Sequence, residues 1–371
     1  MIKKLVSWGV ICTVTVLQSV SLFAEEQQKA RLHVYNWNDY IAQSTIPVFE
    51  ERTGIKIVYD VYDSNEVLEA KVLAGSSGFD IVVPSDNPFF ANQIKASAYQ
   101  PLDKSNLPNL DKLDPALLAK VSASADPGNK YGIPYLWGTT GIGYNLKKVQ
   151  EVLGADVPLD SWDLVFNSKN MEKLARCGVS FLDAPLEIIP TALKYLGLDP
   201  NSTNKADYLK ATELLLAVRP YVTYFHSSKY IADLANGDIC VAIGFSGDIL
   251  QARDRAEEAN NGIAIQYVIP KEGAQLWFDM LAIPADAKHV DEAYAFLNYL
   301  LEPETIAQIT NYVSYANPNL VANEYVDEEI KNDPGIYPPP AIRKNLYKTV
   351  VLPKKINRII TRSWTRVKSG R

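Results

Sequence analysis

The 371 residues fit two domains or one large one. With 47% hydrophobic and 22% charged residues the chain can bury a sizeable core, which excludes a disordered chain. A net charge of −6 leaves no basic surplus for a phosphate backbone, so no nucleic-acid partner is expected, whereas a cationic ligand would suit it. In chain order, residues 1–24 come first: Lys3 and Lys4, an apolar run over 5–17, and a polar stretch ending at Ala24. This is the layout of a cleaved signal peptide. A retained anchor is the alternative, but the run is short and Glu25 and Glu26 follow it at once. Removing the leader leaves two cysteines, Cys177 and Cys240. In an oxidising compartment an even pair reads as one disulfide, with two separate buried thiols as the alternative.

Residues 32–35 alternate as a strand. Ser44 is placed to cap a helix through 51, which Gly54 stops, and a second strand follows over 55–59. Ser64 is placed to cap a second helix through 72, and 79–83 reads as a buried parallel strand. This βαβαβ order implies right-handed crossovers and an open parallel sheet. Such sheets bind ligands beyond the carboxyl ends of their strands, where this chain places Trp37, Asn38, Asp39 and Tyr40, then Asp63, then Ser85, Asp86 and Asn87. The middle repeats the pattern. A strand over 178–182 ends in Asp183, an amphipathic helix covers 205–218, and a strand over 239–243 ends in Phe245, Ser246 and Asp248. A crossover to a second lobe is expected at 141–145, and a later one near 265–270 or 278–284. Two lobes joined by more than one strand form a cleft with a hinge. Near the end, Ile356, Ile360, Trp364 and Val367 fall at helical spacing among Lys354, Lys355, Arg358, Arg362, Arg366, Lys368 and Arg371. The expectation is a helix packed by its apolar face on a lobe with its basic face in water, rather than a helix lying in a membrane surface.

Catalytic patterns are scarce. His33, His226 and His289 lie far apart, no cysteine cluster accompanies them, and no metal site is expected. The chain has no Gly-x-Ser-x-Gly elbow, no Walker lysine and no dinucleotide fingerprint, so no cofactor is expected. A carboxylate pair, as in glycoside hydrolysis, needs no sequence proximity, so a secreted carboxylate-dependent hydrolase stays as a minor alternative. What recurs is an aromatic residue beside an acid: Trp37 with Asp39, Phe245 with Asp248, and Trp277 with Phe278 and Asp279. Organic ammonium groups need both, the carboxylate for charge-assisted hydrogen bonds and the aromatic face for the cation and its methylenes.

Val34-Tyr35-Asn36-Trp37-Asn38-Asp39-Tyr40-Ile41 resembles the opening strand of the periplasmic polyamine-binding proteins, the spermidine- and putrescine-binding components of ABC importers. The similarity continues through Thr53 to Asp60, Asp63 to Glu69, Gly78 to Ser85, Gly138 to Asn145, Cys177 to Pro185, Phe225 to Ser228, Ala235 to Gly244 and Asn332 to Pro339. It covers essentially the whole mature chain and is nearest to the putrescine-binding branch.

The resemblance implies an α/β two-lobed periplasmic binding fold, each lobe a mostly parallel sheet flanked by helices, and a Cys177–Cys240 disulfide. It implies lobe 1 over 29–137 plus roughly 265–315, and lobe 2 over 138–264 plus roughly 316–371. It further implies a monomer that passes a polyamine to an inner-membrane ABC permease. Trp37 and Tyr40 would be aromatic walls. Asp39 would help bind an amine, with polar contacts from Asn38 and Ser85, and Asp248 and Asp279 would pair with the ammonium groups. Phe245 and Trp277 would enclose the alkyl chain, and Ser227 and Tyr315 would line the cleft. Asn38 stands where serine is common in the putrescine branch, and Phe245 where tryptophan is. Trp277 resembles the spermidine binders. Leu186 falls where an acid holds the distal amine, with Glu187 adjacent, and Asp86 adds an acid at a strand end. Putrescine, spermidine, and another small organic cation or amino acid all remain open as ligands.

Overall fold

The structure, a computed structural model, describes residues 31–371. The expected leader over 1–24, with Cys12, lies outside the described residues. The strands are β1 (Arg31–Trp37), β2 (Lys56–Tyr62), β3 (Ile81–Val82), β4 (Gly132–Asn145), β5 (Val179–Phe181), β6 (Tyr224–Phe225), β7 (Val241–Phe245), β8 (Ile265–Val268) and β9 (Gln275–Ala282). They join in the order β2-β1-β3-β9-β4-β7-β5-β6, with β8 on β4.

The first βαβαβ unit forms where the pattern placed it. Helix Thr45–Thr53 stops at Gly54, whose φ of 75° is the left-handed conformation that glycine adopts without strain. Ser44 precedes that helix without capping it through its side chain, whereas the Ser64 side chain accepts from the Val67 N–H. β1 pairs in parallel with β2 and β3. On the other side β5 pairs in parallel with β6 and β7.

Two long antiparallel strands connect these halves. β4 pairs with β9 from Gly132↔Ala282 to Thr140↔Gln275, then runs on beside β7 and β8 through Asn145. β9 reaches the first parallel unit at Val82↔Ala282. The segment 141–145, where a crossover was expected, is the far end of the single strand β4, and the two later candidates, 265–270 and 278–284, fall on β8 and β9. β4 can thread between its neighbours because it is thin: a Cβ on Gly141 would lie 2.5 Å from the Val268 carbonyl oxygen.

The buried apolar residues fall into clusters that follow this division. Leu32, Val34, Phe49, Ile81, Leu297, Ile309, Ala322 and Ile336 belong to one. Beside it a smaller cluster holds Tyr35, Leu68, Phe90 and Met280. Another contains Trp162, Phe181, Leu193, Tyr208, Ile243, Ile360 and Trp364. Cys177 and Cys240 are bonded, with Cα atoms 5.4 Å apart, and tie the segment before β5 to the start of β7. The C-terminal helix Lys354–Ser369 buries Ile356, Ile360, Trp364 and Val367, as its apolar spacing required.

Candidate functional site

The carboxyl ends of β1 and β3, the middle of β9, the end of β7 and the start of helix Pro185–Tyr195 converge on one cleft. Its lining includes Trp37, Asn38, Tyr40, Ser85, Ser227, Phe245, Asp248, Trp277, Asp279 and Tyr315. Strand alternation explains the placement on β9: Trp277 and Asp279 face the cleft, and Phe278 between them points to the opposite side.

The aromatic walls stand at defined angles. The Phe245 ring meets Trp277 edge-on at 5.6 Å and Trp37 edge-on at 6.3 Å, and Tyr315 lies 5.6 Å from Trp277. Trp37 is fixed by its indole N–H, which donates to the Val83 carbonyl at 2.8 Å. The indole N–H of Trp277 donates to Thr140 Oγ1 at 3.2 Å.

Two carboxylates sit deep in this box. Asp279 accepts from Ser85 Oγ at 2.6 Å, and Asn65 Nδ2 in turn donates to that hydroxyl at 3.0 Å. Asp248 accepts from the Tyr230 hydroxyl at 2.6 Å and from the Tyr315 hydroxyl at 2.7 Å. Burial raises both acids to about 7 against the pull of these hydroxyls, and Asp86 and Asp39 respectively push them further. Glu187 is a third acid in the lining. It accepts from Thr140 Oγ1 at 2.6 Å and from Gln275 Nε2 at 2.9 Å, and burial raises it to about 8. Asp63 completes the acids, and among the described residues no Lys, Arg or His lines the cleft. The Ser227 hydroxyl is buried and has no hydrogen-bond partner among the described residues. Buried acids in want of counter-charge, facing aromatic rings, form a receptor for an organic cation.

Two of the expected residues are used elsewhere. Asp39 turns away from the lining: its Oδ1 accepts from Arg255 Nη2 at 2.8 Å. Asp86 is buried under Lys348, which donates to it, and reaches the site only as a neighbouring charge on Asp279. In both cases a cation of the chain itself already supplies the pairing a ligand would have offered. Asp63, just beyond the end of β2, lines the cleft as its strand-end position implies, whereas Glu187, Tyr62, Asn65 and Ser228 line it without a sequence pattern that singles them out as ligand groups. The available signal was the acid one residue beyond Leu186 in the first turn of a helix. Leu186 itself lies in an adjoining space with Asp63, Glu66 and Phe89, which shares Trp37, Glu187, Ser227 and Phe245 with the cleft. Tyr230, which holds Asp248, had no sequence signal at all. Among the described residues no group of His, Cys, Asp and Glu is arranged to hold a metal ion.

Comparison with known proteins agrees with this geometry. The chain is 56% identical over 370 residues to the putrescine-binding periplasmic protein PotF of Escherichia coli (strain K12), covering 100% of this chain and 99% of that one. It is 56% identical over 361 residues to the putrescine-binding periplasmic protein SpuD of Pseudomonas aeruginosa, covering 97% and 98%. Against the spermidine/putrescine-binding periplasmic protein of Escherichia coli the identity is 33% over 316 residues, 85% of each chain. Among solved structures, the spermidine/putrescine ABC transporter substrate-binding protein PotD from Streptococcus pneumoniae superposes with a TM-score of 0.74 at 30% identity. That match covers 92% of this chain and 99% of the other, and it identifies the two-lobed periplasmic binding fold. The family model for bacterial extracellular solute-binding proteins matches residues 46–338, and the chain belongs to that family.

Proposed function

We propose that this protein captures a polyamine in the periplasm, with putrescine as the primary ligand, and delivers it to an inner-membrane ABC permease. The observation that carries this reading is the set of buried acids, Asp248, Asp279 and Glu187, around an aromatic box with no cationic side chain among the described residues. An extended diamine has a charge at each end and an apolar middle. Each ammonium needs a buried carboxylate, and the methylenes need the faces of Trp37, Phe245 and Trp277. The names of the relatives that match over nearly their whole length point the same way. The longer spermidine is a second ligand, because the adjoining space extends the cleft with a further acid, Glu66.

The lobes divide as 31–137 with about 275–336, and 138–274 with about 340–371, following the apolar clusters. This moves 316–336 from the lobe expected for it, since Ala316, Ala322, Val326, Ile330 and Ile336 share a cluster with Leu32 and Val34 of β1, and it moves 265–274 the other way, since Ile265, Ile269 and Ala274 cluster with residues of the C-terminal helix. Closure about β4 and β9 would bring Trp37 and Ser85 of one lobe against Phe245 and Asp248 of the other, and ligand contact with both stabilises that state. The mature chain works as a secreted monomer, freed of its leader, and releases its ligand chemically unchanged.

Titration calorimetry of ligand-free protein with putrescine, spermidine, cadaverine and a neutral amino acid tests the reading. Saturable one-to-one heat with putrescine and none with the amino acid is expected. No heat with any polyamine, from protein shown to be folded and ligand-free, overturns it.

A further inference from the structure

The protein is acidic overall, yet its charge is unevenly distributed. Residues 334–371 hold ten Lys or Arg and no Asp or Glu, in a chain whose total is −6. Helix Lys354–Ser369 carries most of this charge. Its apolar face is covered by Ile356, Ile360, Trp364 and Val367 packing toward helices Pro185–Tyr195 and Lys205–Val218. No apolar stripe is therefore left to insert into a bilayer. Lys354, Lys355, Arg358, Arg362, Arg366, Lys368 and Arg371 are all exposed. Among the described residues only Lys368 of these has a carboxylate in ion-pair range, Asp183.

Lys354, Arg358, Arg362 and Arg366 repeat every fourth residue, so they form a row about 18 Å long on one side of the helix. Where this row ends matters. Trp364 donates from its indole N–H to Asp183 Oδ1 at 3.0 Å, and its ring meets Phe225 edge-on at 5.2 Å. Asp183 follows β5, and Phe225 is the last residue of β6. Just beyond these strand ends lie Glu187 and Ser227, which line the cleft. The row of cations therefore runs up to the ligand-bearing face of one lobe.

We propose that this row is a peripheral docking surface for an anionic lipid headgroup layer, which holds the protein on the membrane that carries its permease. The proposal rests on the periplasmic delivery reading above. The charge complementarity is local: a protein with net negative charge is repelled by an anionic surface unless a concentrated basic patch faces it, and each Lys or Arg so placed adds attraction within a Debye length. The row is a linear array of unpaired charges with its apolar side already buried, which suits a flat charged layer and not the interior of a bilayer.

The test is sedimentation of the mature protein, loaded with putrescine, with vesicles of phosphatidylcholine alone or with phosphatidylglycerol added. Binding is expected only to the anionic vesicles, is expected to fade with added sodium chloride, and should weaken on the order of 100-fold when three of the charges are removed. The variants are Arg358→Gln/Arg362→Gln/Arg366→Gln and the reversal of the same three to Glu. Circular dichroism and calorimetry with putrescine monitor their fold and site. Equal binding to both kinds of vesicle, no binding to the anionic ones at low salt, or binding that survives in folded variants overturns the proposal. Since putrescine binding is measured on the same preparations, failure of the ligand reading shows there, independently of the vesicles.

Discussion

Asp248 and Asp279 differ in what surrounds them but arrive at the same electrostatic condition. Each is almost fully buried, each receives hydroxyl hydrogen bonds, and each is still raised to about 7 because burial outweighs those bonds. An ammonium supplies what the hydroxyls cannot, a full opposite charge. Replacing either acid by Asn should therefore weaken putrescine binding by about 3–5 kcal/mol, the range for leaving one member of a buried ion pair alone. Calorimetry reads that loss, and thermal melts of the unliganded variants should show the fold intact. The same shifts fix a pH dependence. A raised acid is protonated in the empty cleft at low pH and must lose its proton to pair with the ligand. Affinity should fall as pH drops from about 8 to below 7, the range of the raised Asp248, Asp279 and Glu187. Binding near neutral pH should release protons, which is measurable by titrating in buffers of different ionisation enthalpy. The unliganded protein should show the opposite trend. Its folded-state acids sit above their unfolded values, so these groups cost stability progressively as pH rises from the unfolded carboxyl range of about 4 to the raised values of about 7–8, and the ligand-induced rise in Tm should grow with pH over that range.

Helix Ser246–Glu258 connects the chemistry to the frame. It begins where β7 ends, so its first turn carries Asp248 into the cleft, and Gly247 packs against Tyr315. A Cβ at Gly247 would lie 2.4 Å from the Tyr315 ring and 2.6 Å from the Val313 carbonyl oxygen. The ring could swing, but the backbone carbonyl cannot move without displacing helix Pro303–Val313. Gly247→Ala should therefore push Tyr315 off Asp248, and putrescine affinity should fall at least ten-fold while all the acids remain. A crystal structure of the variant would show whether the Tyr315 hydroxyl has left Asp248. Unchanged affinity would mean that the Tyr315 bond does not hold Asp248 for the ligand. At the same scale, among the described residues β9 and β4 form the middle of the sheet path between β3 and β7, and the site lies against them, where the proposed closure would turn.

Across the whole molecule, the face that bears the cleft is closed by polar contacts at its edge. Arg255 of one half holds Asp39 of the other, Gln251 Nε2 donates to the Asp39 carbonyl at 3.3 Å, and His226 lies 3.9 Å from Asp63. In the closure proposed above these contacts would form as the halves meet, and the two made by Asp39 would favour that state without touching the ligand. The Asp39–Arg255 pair is partly exposed, and exposed pairs contribute about 0.2–1 kcal/mol. Arg255→Ala should weaken putrescine binding only a few-fold, with the change in the dissociation rate seen by stopped flow. Small-angle scattering should show a smaller loss of radius on ligand addition than in the parent. An effect as large as that of Asp279→Asn would place Arg255 in the binding machinery itself.

The class of the molecule and most of the residues that line its cleft were legible from local pattern alone. Alternating apolar runs fixed the strands, Gly54 and Ser64 fixed helix ends, and aromatic–acid pairs at strand ends marked Trp37, Phe245, Asp248, Trp277 and Asp279, because strand periodicity and local capping act over a few residues. Only the tertiary structure decided which acids are free to meet a ligand. Asp39 and Asp86 look like Asp248 and Asp279 in sequence, yet Arg255 and Lys348, each more than two hundred residues away, already neutralise them. Glu187 became a site group because the turn at the head of its helix faces Thr140 and Gln275, both on the connecting strands. Charge pairing across the fold depends on distances in space that no local pattern encodes, so the chemistry was legible in the residues while its final allocation was set by packing.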